Sequence, residues 1–361
     1  MPIYDMFFKP LTLFGLDIGS SYIKVVQLKK LKKAGYELEI FDMLPIQPGL
    51  VEDGAIINKA KLAESIKSLI KKANIKSNYV AVSISGHSSV IIKTITMPEM
   101  SEEEMAKSIR FEAEQYVPFG IDDVNLDFQI LGKKNDESQV EVLLVAVKKD
   151  LLEEYYKLLE IAEITPAVID VTGFALANMY DYNYAQGKAT DELESVVAIF
   201  DIGAGNINMT VIKKTNPVFT RDSAIGVRII TESLEKNFQI DHETAEGILK
   251  NGTLPPDMNS DEVSNIIATA SEEILTDING SIEYYMSNYS DQIDKVLVCG
   301  GGALLGQFAD TLAERTGLEI IIAEPFKNVT IPKGLDKEFI KTMGAMGATA
   351  MGLALREIGD K

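Results

Sequence analysis

The sequence predicts an α/β protein of two lobes that open with the same strand–turn–strand unit, with an additional subdomain inserted into the first lobe. The unit LDIGS at Leu16–Ser20 recurs as FDIGA at Phe200–Ala204, and each copy lies between two apolar strands. Residues 88–150 interrupt the rhythm of strands and helices in the first half. The chain has 361 residues, more than the roughly 100–200 of one domain, so more than one core is expected.

The first lobe is predicted to begin with three antiparallel strands. Residues 11–46 contain three strand-like stretches, LTLFGLDI, YIKVVQL and YELEIFDML, separated by short breaks. The segment Asn58–Asn74 places apolar side chains on one helical face and lysines on the other. A further strand, YVAVSIS, follows at residues 79–85. This part of the chain therefore combines a β-meander with α/β units.

The insertion is predicted to extend from about residue 88 to about residue 165. It contains the strand VIIKTITM, a helix whose start carries a capping box of Ser101 and Glu104, and the strands NLDFQIL and QVEVLLVAV. An amphipathic helix at Leu151–Ala162, the strand PAVIDV and a helix at Thr172–Tyr184 come next. The polar residues 186–195 are predicted to connect the lobes.

The second lobe is predicted to span residues 196–340. It opens with VVAIFDIGAGNINMTVI, contains a helical part at about residues 227–290, and continues into VLVCGGGALLGQF. Residues 341–361, which contain a helix of small residues from about Thr342, are expected to pack back on the first lobe.

Composition excludes several classes of function. The 54 acidic and 35 basic residues give a net charge of −19, which repels nucleic-acid backbones. One cysteine and two histidines cannot form a disulfide framework or a zinc cage, so any metal is expected to be a hard ion bound by oxygens. No apolar stretch approaches the roughly 20 residues of a membrane span. A soluble protein of a reducing, cytosolic compartment is expected.

The two repeated turns have the composition of phosphate-binding loops. Each places an aspartate, Asp17 or Asp201, at the end of a strand and small residues in the turn that follows. Small residues let backbone N–H groups face a phosphate, while a carboxylate binds Mg²⁺ or its water. An Asp-x-Gly sequence is also a common structural turn, but its repetition in the same context favours a binding role.

A third glycine-rich segment, VLVCGGGALLG at 296–306, has the pattern strand, turn, helix. Glycines there would let a flat ring or a ribose approach the backbone. Gly300, Gly302 and Gly306 with Glu324 also imitate a dinucleotide-binding fingerprint, which remains a minor alternative. No Walker loop occurs, and His87 and His242 lack a neighbouring acid or nucleophile pattern, which indicates surface or structural roles.

With these residues the chain resembles the superfamily of actin, heat-shock chaperone ATPases and sugar kinases. Its phosphate-1, phosphate-2 and adenosine motifs match GLDIGSSYIK, FDIGAGNINM and VLVCGGGALL. The insertion after SIS resembles the FtsA-like branch, and IRFEAEQYVPFGIDDVNLDFQIL within it is similar to the PilM family of type IV pilus assembly proteins. The resemblance implies an actin-like (ribonuclease H-like, duplicated) two-lobe ATPase fold that binds ATP and Mg²⁺.

The resemblance also assigns site residues. Asp17 and Asp201 would hold Mg²⁺ through water, and Lys24 would contact a phosphate. The residues that would surround the nucleotide are Gly19, Ser20, Ser21, Gly203, Ala204, Gly205, Asn206, Glu246, Lys250, Gly300, Gly301, Gly302, Ala303 and Leu304. Glu246 and Lys250 fit a solvated helix face equally well, since Glu–Lys pairs at i,i+4 are common.

Asp170 is the candidate catalytic residue, because relatives position the attacking water there. Its alternative is a cap, with Asp170 or Thr172 starting the next helix. Two departures, Ala204 and Asn206, weaken the case for fast hydrolysis more than the case for ATP binding. At most slow ATP hydrolysis is therefore expected.

The implied function is a cytoplasmic, ATP-binding scaffold of the type IV pilus that binds the N-terminal tail of the inner-membrane protein PilN and reaches the membrane through partners. A pilus assembly ATPase, other inner-membrane pilus proteins and a second copy of the chain are further candidate partners. The alternatives are an FtsA-like self-polymerising protein and a sugar- or acetate-kinase-like phosphotransferase. Residues 1–100 carry a net charge of +4, which suggests that the first lobe faces anionic lipid.

Overall fold

The computed structural model describes residues 12–52, 54–85, 89–133, 138–186, 195–256 and 258–360. The strands are β1 Leu13–Ile18, β2 Tyr22–Lys30, β3 Tyr36–Pro45, β4 Val51–Glu52, β5 Ala55–Ile56, β6 Tyr79–Ile84, β7 Val90–Pro98, β8 Val124–Lys133, β9 Gln139–Lys148, β10 Thr165–Val171, β11 Val196–Ile202, β12 Ile207–Lys213, β13 Asn216–Ser223, β14 Lys295–Cys299 and β15 Glu319–Ile322. The α-helices are α1 Lys59–Lys72, α2 Glu102–Ala113, α3 Lys149–Ile161, α4 Thr172–Tyr180, α5 Arg228–Phe238, α6 His242–Asn251, α7 Ser260–Asn288, α8 Phe308–Thr316, α9 Lys337–Met343 and α10 Ala348–Ala354.

The first lobe contains a five-stranded sheet in the order β10-β6-β1-β2-β3. Strands β1, β2 and β3 are antiparallel neighbours, as the sequence predicts, while β6 and β10 run parallel to β1. The apolar face of α1 is buried against this sheet through Leu62, Ile66 and Leu69. Asn58 caps α1 by accepting a hydrogen bond from the N–H of Lys61, which explains where the helix begins.

The second lobe repeats this architecture with the order β13-β12-β11-β14-β15. Strands β11, β12 and β13 form the antiparallel meander, and β14 and β15 continue it in parallel. The two repeated sequence units therefore occupy equivalent hairpins, β1–β2 and β11–β12. Both sheets are mixed, which excludes the all-parallel dinucleotide-binding alternative.

The insertion forms its own three-stranded sheet, ordered β7-β9-β8, with α2 packed on it through Met105, Ile109 and Ala113. The predicted capping box is present, because Ser101 and Glu104 each accept the other's backbone N–H. The sheet ends at Lys148, and the following helix α3 packs against α1 of the first lobe. Strand β7 lies against β13, so the insertion also touches the second lobe.

Helices α4 and α10 pack against each other and connect the lobes. A Cβ atom at Gly352 would lie 1.7 Å from the carbonyl oxygen of Ala175, and one at Gly15 would lie 2.2 Å from that of Ala350. Only glycine permits these backbone approaches, which place α10 directly on β1 and α4. Of the C-terminal elements, α10 thus contacts the first lobe. Ala345, just before α10, contacts the second lobe, because its carbonyl accepts a hydrogen bond from the N–H of Gly300.

Two details of the predicted elements change. The helix predicted to reach Tyr184 is α-helical to Tyr180 and continues as a π-helical turn, Asp181–Ala185. Most of the predicted connector lies outside the described residues. Within the described parts of the chain, none of the helices is both long enough and apolar enough to cross a membrane.

Candidate functional site

The two lobes enclose a cleft of about 370 Å³ into which both repeated turns project. The volume lies within the roughly 300–1,000 Å³ typical of small-ligand sites. Its walls come from the β1–β2 and β11–β12 turns, the glycine turn after β14, and helices α5 and α6. Every one of these segments except α5 was predicted to contact nucleotide.

The first turn places a lysine beside its aspartate. The antiparallel register puts Lys24 directly opposite Asp17, and its Nζ lies 2.7 Å from Oδ2 of Asp17. Both side chains are largely buried. The turn closes through the N–H of Gly19, which donates to the carbonyl of Tyr22 at 3.0 Å. A Cβ at Gly19 would lie 2.9 Å from that carbonyl oxygen, so the tight turn requires glycine.

The second turn repeats the geometry and extends it into a helix. The N–H of Gly203 donates to the carbonyl of Asn206 at 2.9 Å. The carbonyls of Gly203 and Ala204 then accept hydrogen bonds from the N–H groups of Val227 and Arg228. The start of α5 is thereby fixed on the turn, beside the cleft.

The electrostatics of the cleft centre on two carboxylates and one ammonium. Burial raises the pKa of Asp201, while Lys24 lowers it and Asp17 raises it further. Burial by itself lowers the pKa of Lys24, but the carboxylates of Asp17 and Asp201 outweigh it, so the lysine's pKa is raised and it stays charged. Thr349 donates to Oδ2 of Asp201 at 2.9 Å and stabilises its ionised form. Asp17 and Asp201 therefore both offer negative charge to a cation that binds in the cleft.

The glycine turn after β14 lies against the second aspartate. Gly300 has a φ of 79°, and a Cβ on it would lie 2.4 Å from Oδ1 of Asp201. A Cβ at Gly302 would lie 2.2 Å from Cγ2 of Ile202. Glycine is needed at both positions for backbone proximity. Gly301–Leu304 forms a 3-10 turn that precedes the predicted helix, and Leu304 is 41% exposed at the cleft.

Helix α6 contributes the two predicted nucleoside residues. Lys250 forms an ion pair with Glu246 and lies 5.0 Å from the ring centroid of Tyr22 in the first lobe. Both residues line the cleft, so the i,i+4 pair is not simply part of a solvated helix face. The contact with Tyr22 also crosses from one lobe to the other.

His242 corrects one expectation from the sequence. It lines the cleft, with Nδ1 2.7 Å from Glu235 and Nε2 3.7 Å from Glu246. The expectation of a histidine without acidic neighbours is therefore wrong, because helical spacing brings Glu246 one turn away and packing of α5 on α6 brings Glu235. His87 lies outside the described residues.

Of the predicted nucleotide residues, all but three line the cleft; Gly205, Gly302 and Ala303 stand behind it. Asp170 does not line it either. Its Oδ1 accepts the N–H of Val171 at 2.8 Å, and its Oδ2 lies 3.5 Å from Nε of Arg356. Burial raises its pKa and Arg356 lowers it. This position, behind the cleft, does not favour the predicted catalytic role.

The capping alternative for Asp170 is not what the structure shows. Helix α4 begins at Thr172 without any side-chain cap, and Thr172 donates to the carbonyl of Ile84 at 3.3 Å. Thr172 itself lines the cleft.

Several cleft residues carry no signal in the sequence. Arg228 and Thr231 enter the cleft from α5, and Thr349 reaches Asp201 from the distant α10. Helix α5 starts shortly after Gly226, and this glycine is a sequence signal that could have indicated the start of the helix. It lies so close to the second turn that a Cβ there would be 2.5 Å from the carbonyl oxygen of Ala204.

The donor set fits Mg²⁺ bound partly by its ligand. Among the described residues no group of three or more His, Cys, Asp or Glu side chains could enclose a metal. Asp17 and Asp201 offer carboxylate oxygens alone, and a hard cation would complete its shell with water and phosphate oxygens. This is the coordination expected of a metal that arrives with a nucleotide.

Comparison with known proteins shows to which protein family the chain belongs. A family model for the type IV pilus assembly protein PilM matches residues 15–358. The chain belongs to the PilM family. The solved structure of a PilM-PilN type IV pilus biogenesis complex contains a chain 26% identical to this one, with a TM-score of 0.84, covering 98% of this chain and 100% of that one.

More distant relatives share the fold. The cell division protein FtsA of Streptococcus pneumoniae (serotype 2, strain D39) is 21% identical over 355 residues, which cover 86% of this chain and 75% of FtsA. MreB 5 of Spiroplasma citri, solved with AMPPNP bound, is 14% identical, with a TM-score of 0.52 and 94% of both chains covered. The actin-like two-lobe fold expected from the sequence is confirmed, and the chain is an actin-like protein of type IV pilus assembly.

Proposed function

We propose that this PilM family member is a scaffold that binds Mg²⁺–ATP between its lobes and the cytoplasmic tail of a PilN-like protein beside its insertion. The observation that carries the proposal is the meeting of the two turns: Asp17 and Lys24 from one lobe face Asp201 from the other across a single cleft. Lys24 would contact phosphate, and Mg²⁺ would neutralise the two carboxylates while orienting the phosphates.

The placement of Asp170 supports binding over rapid turnover. The side chain expected to position an attacking water contacts Arg356 instead of the cleft. A scaffold whose nucleotide controls its shape needs only slow hydrolysis. Asp170 is likewise not placed to act as the base that a phosphotransferase would need in the cleft.

A second cavity, the insert cavity, supports the tail-binding part of the proposal. It has a volume of about 410 Å³ and is lined by β7, Tyr116 and Pro118 of the insertion, Val171 of the first lobe and Thr220–Asp222 of the second. The related PilM-PilN complex shows that a protein of this family assembles with PilN. We assign the PilN-like tail to this cavity because it is walled by the insertion.

The insert cavity and the nucleotide cleft share walls. Ser85 of the first lobe and Asn208 of the second line both. Residues of both lobes line each cavity, so a ligand in either one stabilises the arrangement of the lobes seen in the structure. Binding of ATP and of the tail should therefore be cooperative, with each raising the affinity of the other by about 5–150-fold, the usual range of such coupling.

Calorimetry tests both parts. Wild-type protein is titrated with ATP, with and without Mg²⁺, and with a synthetic peptide of the cytoplasmic tail of the PilN-like protein from the same genome, with and without Mg²⁺–ATP. Binding of both, each tightened by the other, is expected. Equal peptide affinity with and without nucleotide would contradict the coupling.

A pair of tyrosine variants locates the peptide. Tyr116 lines the insert cavity, with Lys93 5.5 Å from its ring centroid, whereas Tyr156 lies 53% exposed on α3. Tyr116→Ala should weaken peptide binding, and Tyr156→Ala should leave it unchanged. Equal effects of the two substitutions would place the peptide elsewhere. Sedimentation with ATP separates the scaffold from a filament protein, because only the latter would pellet.

The expected orientation towards anionic lipid receives limited support. Lys29, Lys30, Lys67 and Lys72 each form an ion pair with an acidic residue, which reduces the positive field of residues 1–100. Residues 1–100 keep their net charge of +4, and membrane association through a PilN-like partner needs no direct lipid contact. Salt-insensitive binding of protein plus peptide to anionic vesicles would contradict an electrostatic orientation.

A further inference from the structure

Arg228 brings to the cleft a cation that no sequence motif indicated. It is the first residue of α5, and its N–H donates to the carbonyl of Ala204 at 2.8 Å, which fixes its backbone on the second turn. Its side chain lines the cleft. Its Nη2 atom is buried and has no hydrogen-bond partner among the described residues.

A matching group stands on the other lobe. Ser20, in the first turn, is 7% exposed, and its hydroxyl also lacks a partner in the described parts of the chain. The two groups are neighbours across the lobes: a Cβ built on Gly205 would lie 3.0 Å from Oγ of Ser20 and 3.4 Å from Nη2 of Arg228. Both atoms therefore lie close together beside the backbone of Gly205, and both residues line the cleft.

Unpartnered groups of this kind are costly in the ligand-free protein. Burying a charged or polar group without a partner destabilises the fold, and most buried polar atoms are hydrogen-bonded. The other basic residues that line the cleft already have partners: Lys24 with Asp17, Lys250 with Glu246 and His242 with Glu235. A guanidinium and a hydroxyl that lie close together at the edge of a cleft can donate to one oxyanion, and guanidinium geometry matches a phosphate group.

We propose that Ser20 and Arg228 bind the same phosphate group of the bound nucleotide from opposite lobes, so that the phosphate itself joins the lobes. This inference rests on the proposed nucleotide binding and deepens it. The cost of the unpartnered Nη2 atom in the free protein is recovered only when an anion enters. Arg228 is thus a binding residue whose substitution affects the free and the bound protein in opposite directions.

The test compares Arg228→Met with Arg315→Met, a matched control on α8 whose guanidinium forms an ion pair with Glu272 away from the cleft. Calorimetry with ATP, adenosine and tripolyphosphate measures what each variant loses. Arg228→Met should lower the affinity for ATP about 10–100-fold, the loss of one charge-assisted hydrogen bond, and leave adenosine affinity unchanged. Tripolyphosphate binding should fall in parallel with ATP, and Arg228→Lys should restore part of both.

Thermal unfolding separates binding from structural support. Without nucleotide, Arg228→Met should unfold at the same temperature as the wild type or higher, because a buried Nη2 atom without a hydrogen-bond partner has been removed. Its ATP-induced rise in melting temperature should shrink. A ligand-free melting temperature that falls below that of Arg315→Met would overturn the inference and assign Arg228 a structural role.

The remaining outcomes are distinguishable. If the wild type binds no ATP, the proposed function itself fails. If the wild type binds ATP and Arg228→Met binds it equally well, or loses adenosine to the same extent, only the inference fails. Ser20→Ala should weaken ATP binding, and the Ser20→Ala/Arg228→Met double variant should lose less than the two single losses combined, because both groups hold one phosphate. Independent, additive losses would contradict a shared phosphate.

Discussion

Lys24→Met removes the ammonium that pairs with Asp17 and acts electrostatically on Asp201. The side chains of Lys24 and Asp17 are only 13% and 12% exposed, so water compensates the remaining carboxylates poorly. Asp201 also feels the lysine, which lowers its pKa. The substitution therefore leaves Asp17 and Asp201 without the cation that acts on both.

The expected loss follows from that burial. Removing one partner of a buried ion pair typically costs about 3–5 kcal/mol, because the other charge remains desolvated and unpaired. Lys29→Met is the matched control, since it lies on the same strand and its pair with Glu37 is 57% and 29% exposed. An exposed pair contributes about 0–1 kcal/mol. The first variant should thus lose several times more unfolding free energy than the second.

Urea unfolding followed by circular dichroism measures both losses, since the protein has no tryptophan to serve as a fluorescent probe. Without Lys24 the pKa of Asp201 rises further, and a buried acid with a raised pKa costs stability above that pKa. The deficit should therefore shrink as the pH falls and Asp201 becomes protonated. Adding Asp17→Asn, or Mg²⁺, should recover part of it. Equal losses in the two lysine variants, or no recovery with Asp17→Asn, would refute the reasoning.

Three further predictions follow from named contacts. Asp201→Asn should leave the ligand-free protein as stable or more stable at neutral pH, because burial already raises the pKa of this carboxyl. The same substitution should abolish the Mg²⁺-dependent part of ATP affinity in calorimetry. Full Mg²⁺-dependent binding would remove Asp201 from the metal site. Asp170→Asn should leave ATP affinity and the rate of phosphate release unchanged, because Asp170 contacts Arg356 outside the cleft. A hundredfold fall in the rate of phosphate release would instead support the predicted catalytic role of Asp170. Gly352→Val should lower the melting temperature sharply, because its Cβ would lie 1.7 Å from the carbonyl oxygen of Ala175. Gly247→Ala on α6 is the control: a Cβ there has open space, and the substitution should stabilise the protein by about 0.5–1 kcal/mol. Similar melting temperatures for the two variants would contradict the close helix packing.

Strands and helices followed from local patterns in most of the chain. The meander of β1, β2 and β3 was predictable because apolar runs broken by short turns can pair only with their neighbours. The capping box of Ser101 and Glu104 marked the start of α2 for the same local reason. The short strands β4 and β5 and the strand β13 carried weaker patterns and were not predicted.

The phosphate turns were predictable because one sequence unit occurs twice. Asp17, Gly19, Asp201 and Gly203 stand at equivalent hairpins, and both hairpins reach one cleft. By contrast, Arg228, His242 and Thr349 enter the site from helices with ordinary amphipathic or small-residue sequences. Nothing local distinguishes a helical arginine that faces solvent from one that faces a cleft.

The sequence alone determined the family, the duplicated α/β architecture and the pair of aspartate turns, because each depends on residues that are near one another in the chain. Only the tertiary structure decided that Asp170 turns towards Arg356, and that Ser20 and Arg228 converge from opposite lobes. Those relations depend on how α4, α5 and α10 pack between two separate sheets. Packing of distant segments sets side-chain directions within an ångström or so, which no short-range pattern encodes.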